Sequence, residues 1–259
     1  MPDGARRGLF RADEFSPADL AIQLNALDRQ AELSGIRRLR DWAVAALGLR
    51  PGDRVLDVGA GAGDHTGKLA ALAGETVGLE PNPGLREEAA RRAPGARFVD
   101  GYADDLPFPD ESFDAVSCER VFQHLTDPER AATEIARVLR PGGRAVITDT
   151  DWGTSIIHPG EPELLRVITE SIHAGMRNPF AGRLLPGQLS AAGLTVADIG
   201  SQALIQPVSA ATGPLVRMVT RNAPIDDEQR ERFLAGLAEG ARTGAFHMSV
   251  TMFAVLARR

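Results

Sequence analysis

The residues with the clearest capacity for chemistry lie in the segment RVLDVGAGAGDHT, residues 54–66. Apolar residues surround Asp57 and predict a short buried strand, which the glycines at positions 59, 61 and 63 then end. A helical pattern follows. Glycine is needed where the backbone adopts left-handed dihedrals or approaches a bound molecule, and a helix N-terminus offers free N–H groups to that molecule. The segment therefore predicts a ligand-binding loop between a strand and a helix.

A second candidate ligand-binding residue, Glu80, closes the apolar run VGLE at residues 77–80. This run predicts a second strand, and doubly wound nucleotide-binding folds place a ribose-binding acid about 20 residues after the glycine loop. Dinucleotide-binding proteins more often have the spacing Gly-x-Gly-x-x-Gly, but residue 64 is Asp and the third glycine, Gly63, comes one position early. The spacing disfavours an NAD-dependent oxidoreductase, which nicotinamide binding would test.

These features, with Asp57 two residues before the first glycine, resemble those of the class I S-adenosylmethionine-dependent methyltransferases. The resemblance spans roughly residues 36–153 and includes the LPF turn at 106–108 and the helix stop VLRPGG. Within that family, the chain resembles the small-molecule type of the ubiquinone and menaquinone biosynthesis group. The resemblance implies S-adenosylmethionine as the cofactor and methyl transfer to a small molecule, in quinone or natural-product biosynthesis.

The resemblance also implies which residues bind the cofactor. The loop after strand three meets the adenine in this family, and many relatives have Asp where this chain has Tyr102, so we assign that role to Asp104. Glu119 and Arg120 follow the fourth strand, at the edge where parallel sheets bind ligands, and would line the methionine part. The full predicted set is Asp57, Gly59, Ala60, Gly61, Glu80, Pro81, Asn82, Ala103, Asp104, Glu119 and Arg120.

Catalysis on a sulfonium mainly requires alignment of the acceptor in a site without water, and a general base helps when the acceptor is a hydroxyl. His158 and His124 are the principal candidate bases, and His173, Asp149 and Asp151 are further ones. A histidine in a segment like VFQHL often packs or caps the next helix in this family. His158 is therefore the freer candidate.

The segment NPFAGRLLP, within residues 154–190, resembles the substrate-covering insertion before strand six of related small-molecule methyltransferases. We therefore predict that Phe180 contacts the substrate. Trp152 follows the fifth predicted strand, residues 144–149, at the ligand-binding edge, and is the second predicted substrate contact.

The order of the elements predicts an α/β fold: a doubly wound, Rossmann-like sheet of seven mostly parallel strands, with an antiparallel last strand. N-terminal helices, the first capped by Ser16, precede the sheet. The expected organisation is an N-terminal helical cap (1–50), an S-adenosylmethionine-binding core (51–153), the substrate-covering insertion (154–190) and the C-terminal part of the core sheet (191–259).

Composition limits the partners. A net charge of −6 disfavours nucleic acid, whose binding depends on clustered cations. The single cysteine, Cys118, excludes an internal disulfide, and the scattered histidines give no pattern of metal ligands, so no metal is expected. With neither a long apolar run nor a signal-peptide pattern, we expect a cytoplasmic bacterial protein, a monomer or homodimer, that acts without a membrane.

Two alternatives to methyl transfer stay open. The same fold and cofactor could serve a different reaction, such as cyclisation or decarboxylation, since the cofactor pocket would look the same. A cofactor-binding regulatory protein would keep the fold while losing pocket residues, and the intact Gly59, Gly61 and Glu80 disfavour it.

Overall fold

The computed structural model describes residues 17–259 of the chain. Ser16, the expected N-cap of the first helix, lies outside the described residues. The α-helices of the described part are α1 (Pro17–Ala31), α2 (Ser34–Leu47), α3 (Asp64–Ala70), α4 (Pro83–Arg92), α5 (Pro128–Val138), α6 (Pro162–Ala174), α7 (Ala181–Ala191), α8 (Pro214–Arg221) and α9 (Asp227–Thr243). The strands are β1 (Arg54–Val58), β2 (Glu75–Leu79), β3 (Arg97–Val99), β4 (Phe113–Glu119), β5 (Leu139–His158), β6 (Thr195–Ile205) and β7 (His247–Arg258).

The strands form one seven-stranded sheet in the order β3-β2-β1-β4-β5-β7-β6. The pairs β1 with β2, β1 with β4, β2 with β3 and β4 with β5 are parallel. Strand β7 runs antiparallel to both of its neighbours, β5 and β6. The predicted fold class, a mostly parallel Rossmann-like sheet with an antiparallel last strand, is confirmed. Because the strand order reverses between β1 and β4, a crevice opens at the carboxyl ends of these two strands.

Apolar side chains cover both faces of the sheet, because successive residues of a strand point to opposite sides. Val55 of β1 belongs to the same cluster as Ile36 and Leu47 of α2. Its neighbour Leu56 belongs to the opposite cluster, with Ile135 of α5 and residues of α7. A parallel sheet is stable when helices bury both of its faces, and this arrangement also holds the carboxyl ends of the strands in fixed positions.

Strand β5 is longer than the sequence predicts. Helix α5 ends at Val138 and not at the expected stop before Pro141, and β5 begins at Leu139. At its other end β5 continues past the expected residue 149 to His158, with a register shift against β7 between Asp151 and Ile156. The predicted bounds of this helix and strand are therefore wrong. The reason is pairing with other strands, of Leu139 with Phe113 of β4 and of residues 156–158 with β7, which leaves no local pattern in β5.

A third apolar cluster covers the extended ends of β5 and β7. It contains Ile168 of α6, Val216 of α8, Phe233 and Leu237 of α9, and Met248 of β7. Helices α8 and α9 lie between β6 and β7, in the part of the chain that the sequence assigns to the core sheet. The helical cover at this end of the molecule is thus formed by two separate segments, one before β6 and one after it.

Candidate cofactor and substrate site

The loop between β1 and α3 is built on glycines with left-handed backbone angles. Gly59 has φ +75°, Gly61 φ +55° and Gly63 φ +87°. A Cβ atom at Gly59 would lie 2.3 Å from Val121 Cγ2, and one at Gly63 would lie 2.8 Å from the Cα of Ala89 in α4. Both the angles and the close approaches require glycine. The loop therefore lies tightly against the end of β4 on one side and against α4 on the other.

Glu80 follows β2 directly and its side chain turns towards this loop. The residue is 7% exposed, and its carboxylate accepts the N–H of Gly61 at 2.9 Å and the N–H of Asn82 at 3.0 Å. Burial raises the pKa of Glu80, and the two backbone N–H groups partly offset that rise. Each carboxylate oxygen keeps a further lone pair. The acid is thus fixed beside the glycine loop and can still accept hydrogen bonds from a ligand.

Asp57 lies beneath the loop. Its carboxylate accepts the hydroxyl of Thr66, in the first turn of α3, at 2.6 Å, and the residue is 2% exposed. Burial raises the pKa of Asp57, against the opposing effects of His65 and Thr66. His65 itself is hydrogen-bonded to Ser117 Oγ of β4 at 2.9 Å. Asp57 therefore joins the strand to the helix that follows the loop.

The predicted adenine loop lies beside this site, after β3. Ala103 is buried and Asp104 is partly exposed. The backbone carbonyl of Asp104 accepts a hydrogen bond from Arg130 of α5, which fixes the loop to that helix. Leu106 of the LPF segment is buried in the core, and Phe108 packs edge-on against Phe113 with ring centroids 5.0 Å apart.

Glu119 forms a bidentate ion pair that the sequence does not reveal. Arg40 of α2 donates to its two carboxylate oxygens at 2.7 and 2.8 Å. Burial opposes ionisation of Glu119, but the charge and hydrogen bonds of Arg40, together with the charge of Arg120, lower the pKa of Glu119 to about 2. The pair fixes the second N-terminal helix to the end of β4.

Arg120, the next residue, has a left-handed backbone with φ +58°. Its N–H donates to the carbonyl of Thr148 at 2.8 Å, which places it between the ends of β4 and β5. Its Nε is buried and lacks a hydrogen-bond partner within the described residues, and the nearest acidic oxygen is Glu119 Oε1 at 3.5 Å. Burial lowers the pKa of the Arg120 guanidinium.

A short 3₁₀ turn (Phe122–His124) follows, and contacts from β5 and the insertion hold it in place. Asp149, which is fully buried, accepts the N–H of Gln123 at 3.1 Å. The side-chain amide of Asn178 donates to the carbonyls of Phe122 and Leu125, both at 2.8 Å. Neither Asn178 nor Gln123 is singled out by the sequence, because both act through contacts between segments that are distant in the chain.

His124, one of the two principal candidate bases, lies at the end of this turn. Burial, with the nearby charge of Arg120, lowers the pKa of His124 to about 4. The imidazole is therefore neutral at pH 7. It lies four residues after Arg120, in the turn that follows the carboxyl end of β4.

The two predicted substrate contacts lie together. The indole of Trp152 donates to Gln123 Oε1 at 3.0 Å, and its backbone N–H donates to the carbonyl of Pro179, the residue before Phe180. His173 joins this group, with its Nε2 3.1 Å from the Trp152 carbonyl and its ring centroid 5.0 Å from that of Phe180. An aromatic cluster thus borders the turn after β4.

Asp151 and Arg183 complete this cluster. Asp151 is 1% exposed, and Arg183 Nη2 donates to its Oδ1 at 2.8 Å while Arg183 Nε donates to Oδ2. The guanidinium also lies over the Phe180 ring, 5.0 Å from its centroid. Since both oxygens of Asp151 are occupied by Arg183, this acid anchors α7 to β5.

The other principal candidate base, His158, lies elsewhere. It is exposed at the far end of β5 and is paired with His247 of β7, whereas Asp149 is paired with Phe253. Six residues of β7 separate these two partners (253 − 247), which corresponds to roughly 20 Å along a strand. The structure does not bring His158 to the glycine loop.

Helix α1 lies over the other side of the glycine loop. The position of a Cβ at Gly61 is 3.6 Å from Leu27 Cδ1, and that at Gly84 is 2.7 Å from Leu20 Cδ2. Arg92 of α4 donates to Asp28 of α1 at 2.6 Å. The helix is thus attached to α4 and covers the loop. Across residues 17–259, His, Cys, Asp and Glu form no group of three or more that could hold a metal ion, and none of the helices is long and apolar enough to cross a membrane.

Several known proteins that are similar to this chain are methyltransferases. A family model described as a methyltransferase domain matches residues 56–147. The chain is 35% identical over 141 residues to a demethylmenaquinone methyltransferase of Renibacterium salmoninarum, covering 54% of this chain and 60% of that protein. It is 34% identical over 161 residues to a ubiquinone/menaquinone biosynthesis C-methyltransferase of Ectopseudomonas mendocina, covering 58% of this chain and 60% of that protein.

The chain spans between about half and three-fifths of the length of the curated relatives that it matches. Among solved structures, the YcgJ protein of Bacillus subtilis superimposes with a TM-score of 0.62 at 22% identity, over 86% of this chain and 98% of that one. This likeness concerns the fold. In its glycine loop, the buried acid after β2 and the matched domain, the chain is similar to the class I S-adenosylmethionine-dependent methyltransferases, including those of the ubiquinone and menaquinone group.

Proposed function

We propose that this protein binds S-adenosylmethionine and transfers its methyl group to a small organic molecule. The observation that carries the proposal is the position of Glu80. A buried carboxylate, fixed by two backbone N–H groups beside a glycine loop, offers free lone pairs to the paired hydroxyls of a ribose. Of the alternatives, an NAD-dependent reaction would need the same acid but a different glycine spacing.

The residues around the loop fit a nucleoside with an amino-acid tail. Glycines at 59 and 61 leave the loop without side chains that would fill the crevice. Asp104 is partly exposed on the neighbouring loop, where it could accept an exocyclic amine. At the other end, Glu119 and Arg40 supply one negative and one positive charge, which suit an ammonium and a carboxylate. Pro81, Asn82 and Ala103 would complete the walls.

S-adenosylmethionine supplies a methyl group already activated on a sulfonium, so the chain needs mainly to hold the acceptor in line with it. In the transfer, the acceptor–methyl bond forms as the sulfur–methyl bond breaks and its electron pair returns to sulfur. Trp152 and Phe180 would orient the acceptor, and the helical cover from α1 and from α6, α8 and α9 would exclude water. His124 would take the proton that a hydroxyl acceptor loses; its imidazole is neutral at pH 7, and its pKa of about 4 makes it a weak base there.

In this proposal, the class of acceptor is inferred from the names of the relatives. The matched proteins are named for menaquinone and ubiquinone biosynthesis, and a quinone precursor or similar natural product would suit an aromatic cluster. We also propose a cytoplasmic bacterial enzyme, monomeric or homodimeric, with no nucleic-acid or membrane partner. Residues 1–50 would serve as the cap, 51–153 as the cofactor core, 154–190 as the substrate cover and 191–259 as the remainder of the sheet.

The test is calorimetric titration with S-adenosylmethionine, S-adenosylhomocysteine and NAD. The proposal expects micromolar binding of the first two only. The variant Glu80→Gln should weaken that binding by about 10- to 100-fold, as expected for the loss of one charge-assisted hydrogen bond. Glu75→Gln, at the exposed opposite end of β2, is the control and should bind as the wild type does. Binding of NAD alone, or equal affinity in a folded Glu80→Gln variant, would overturn the proposal. Transfer of a labelled methyl group to product separates methylation from other reactions.

A further inference from the structure

The end of β4 carries two arginines close to one carboxylate, and the buried acids Asp57 and Asp149 lie nearby. Two guanidinium groups, those of Arg40 and Arg120, flank the one carboxylate of Glu119. Arg40 takes both carboxylate oxygens at 2.7 and 2.8 Å. Arg120 Nε is left 3.5 Å from Glu119 Oε1. The ion pair therefore accounts for one arginine, and the Nε of Arg120 has no acid of its own at hydrogen-bond distance.

The remaining groups near Arg120 do not supply that acid. The oxygens of Asp149 already accept the backbone N–H groups of Gln123 and Thr150. Burial also raises the pKa of Asp149 to about 7, so it is only partly ionised at neutral pH. His124, on the same turn, is neutral. A guanidinium in such surroundings has donors to spare.

Arg120 lies at the edge of the crevice, where β4 ends. Its backbone is fixed between β4 and β5 by the hydrogen bond to Thr148. The next side chain, Val121, lies against Gly59 of the glycine loop. Its Nε is buried without a hydrogen-bond partner among the described residues. A buried donor without an acceptor is unfavourable, and a bound ligand with an acceptor atom would relieve it.

We propose that Arg120 binds an anionic oxygen group, a carboxylate or a phenolate, of the methyl acceptor. The inference rests on the proposed function. The amino-acid end of the cofactor carries one ammonium and one carboxylate, which the opposite charges of Glu119 and Arg40 can match. The charge of Arg120 then remains for the acceptor, whose aromatic part would meet Trp152 and Phe180. A guanidinium is suited to this role because its planar fork pairs with two oxygens at once.

The experiment uses the full chain saturated with S-adenosylhomocysteine and two probes of the same shape, benzoate and neutral benzamide, at constant ionic strength. We expect the wild type to bind benzoate at least fivefold more tightly than benzamide in calorimetric titrations. In Arg120→Gln, titrated at a concentration of S-adenosylhomocysteine that saturates the variant, this preference should fall below twofold. Arg91→Gln, which removes an exposed arginine of α4, should keep the full preference.

Each other outcome is decisive. Equal binding of both probes to the wild type, or of neither, would overturn the inference. If Arg120→Gln loses S-adenosylhomocysteine but keeps the preference for benzoate, Arg120 serves the cofactor and the inference also fails. If Arg120→Gln does not fold, Arg120→Lys is used, which keeps the charge without the fork and should reduce the preference without removing it. A wild type that binds no S-adenosylhomocysteine would instead refute the proposed function itself.

Discussion

Arg40 and Glu119 lie 79 residues apart in the sequence, and yet the guanidinium of one donates to both carboxylate oxygens of the other. Their side chains are only 14% and 11% exposed. A charge pair in such a position has lost most of its hydration, so each member depends on the other. The pair therefore attaches α2 to the sheet and also places two charged groups at the candidate site.

Removal of one partner should be costly. In Arg40→Met the stem of the side chain keeps its packing while the buried Glu119 carboxylate loses both of its hydrogen bonds from Arg40 and keeps only the longer contact with Arg120. We expect a loss of about 3 to 5 kcal/mol in the free energy of unfolding at pH 7, measured by urea denaturation. Arg91→Met, which breaks the exposed pair with Glu88 on α4, should lose less than about 1 kcal/mol. Similar losses in the two variants would show that the buried pair contributes no more to the free energy of unfolding than the exposed pair does.

The stability of the fold should depend on pH through Asp149, whose pKa burial raises to about 7. A carboxyl whose pKa is raised by folding stabilises the folded state below its unfolded pKa of about 3.9, and this contribution is lost as the pH rises through 7. Between pH 5 and 8 the wild type should lose roughly 2 to 3 kcal/mol that Asp149→Asn does not lose. Urea denaturation at several pH values measures the difference. The control is Asp41→Asn, at a mostly exposed position, which should lose as much stability between pH 5 and 8 as the wild type. The expectation is contradicted if the free energy of unfolding changes equally with pH in the wild type and in Asp149→Asn.

Two glycines with similar backbone angles separate conformational strain from close packing. Gly63 has φ +87° and Gly142 φ +77°, but a Cβ at Gly63 would meet the backbone of Ala89, whereas a Cβ at Gly142 would meet nothing within 4 Å. Gly142→Ala should cost about 1 kcal/mol, for the left-handed angle alone. Gly63→Ala should cost a further 1 to 3 kcal/mol, because α4 must shift. Thermal or urea denaturation tests this, and equal costs would mean that the loop adjusts freely.

The two candidate bases should differ in their effect on turnover. His124→Ala should reduce the rate of methyl transfer by about 100-fold or more if the acceptor loses a proton, with cofactor affinity retained. His158→Ala should leave the rate within about twofold, since this residue lies roughly 20 Å along the strand from the site edge. Single-turnover rates and calorimetric titrations of both variants decide between them. The reverse result would identify His158 as the base and imply that the end of β5 folds over the crevice during catalysis.

The sequence predicts the glycine loop and Glu80 well because their signals are local. The left-handed angles at Gly59 and Gly61 demand glycine, and an acid at the end of a short strand is visible from the strand alone. The caps of α4 and α5, Asn82 and Asp127, are visible for the same reason, since a cap lies within three residues of its acceptor.

The parts that the sequence does not predict depend on contacts between distant segments. Arg40 is one of several arginines on α2, and no periodicity distinguishes it from Arg37 or Arg38. Asn178 appears as a loop residue, although its amide holds the turn after β4. The sequence also does not predict the length of β5 or the helices between β6 and β7, because their stability comes from tertiary packing and not from local propensity.

The position of β7 has a consequence for how the molecule is assembled. Strand β6 joins the sheet only through β7, which follows it after helices α8 and α9. During synthesis, β6 therefore has no neighbour to pair with until the later strand has been made and has entered between β5 and β6. Pairing of this kind closes a long loop before it gains any contact, which makes it slow. The outer edge of the sheet should thus be the last part to become ordered in each newly made chain, while the glycine loop and Glu80, on the parallel side, can form earlier.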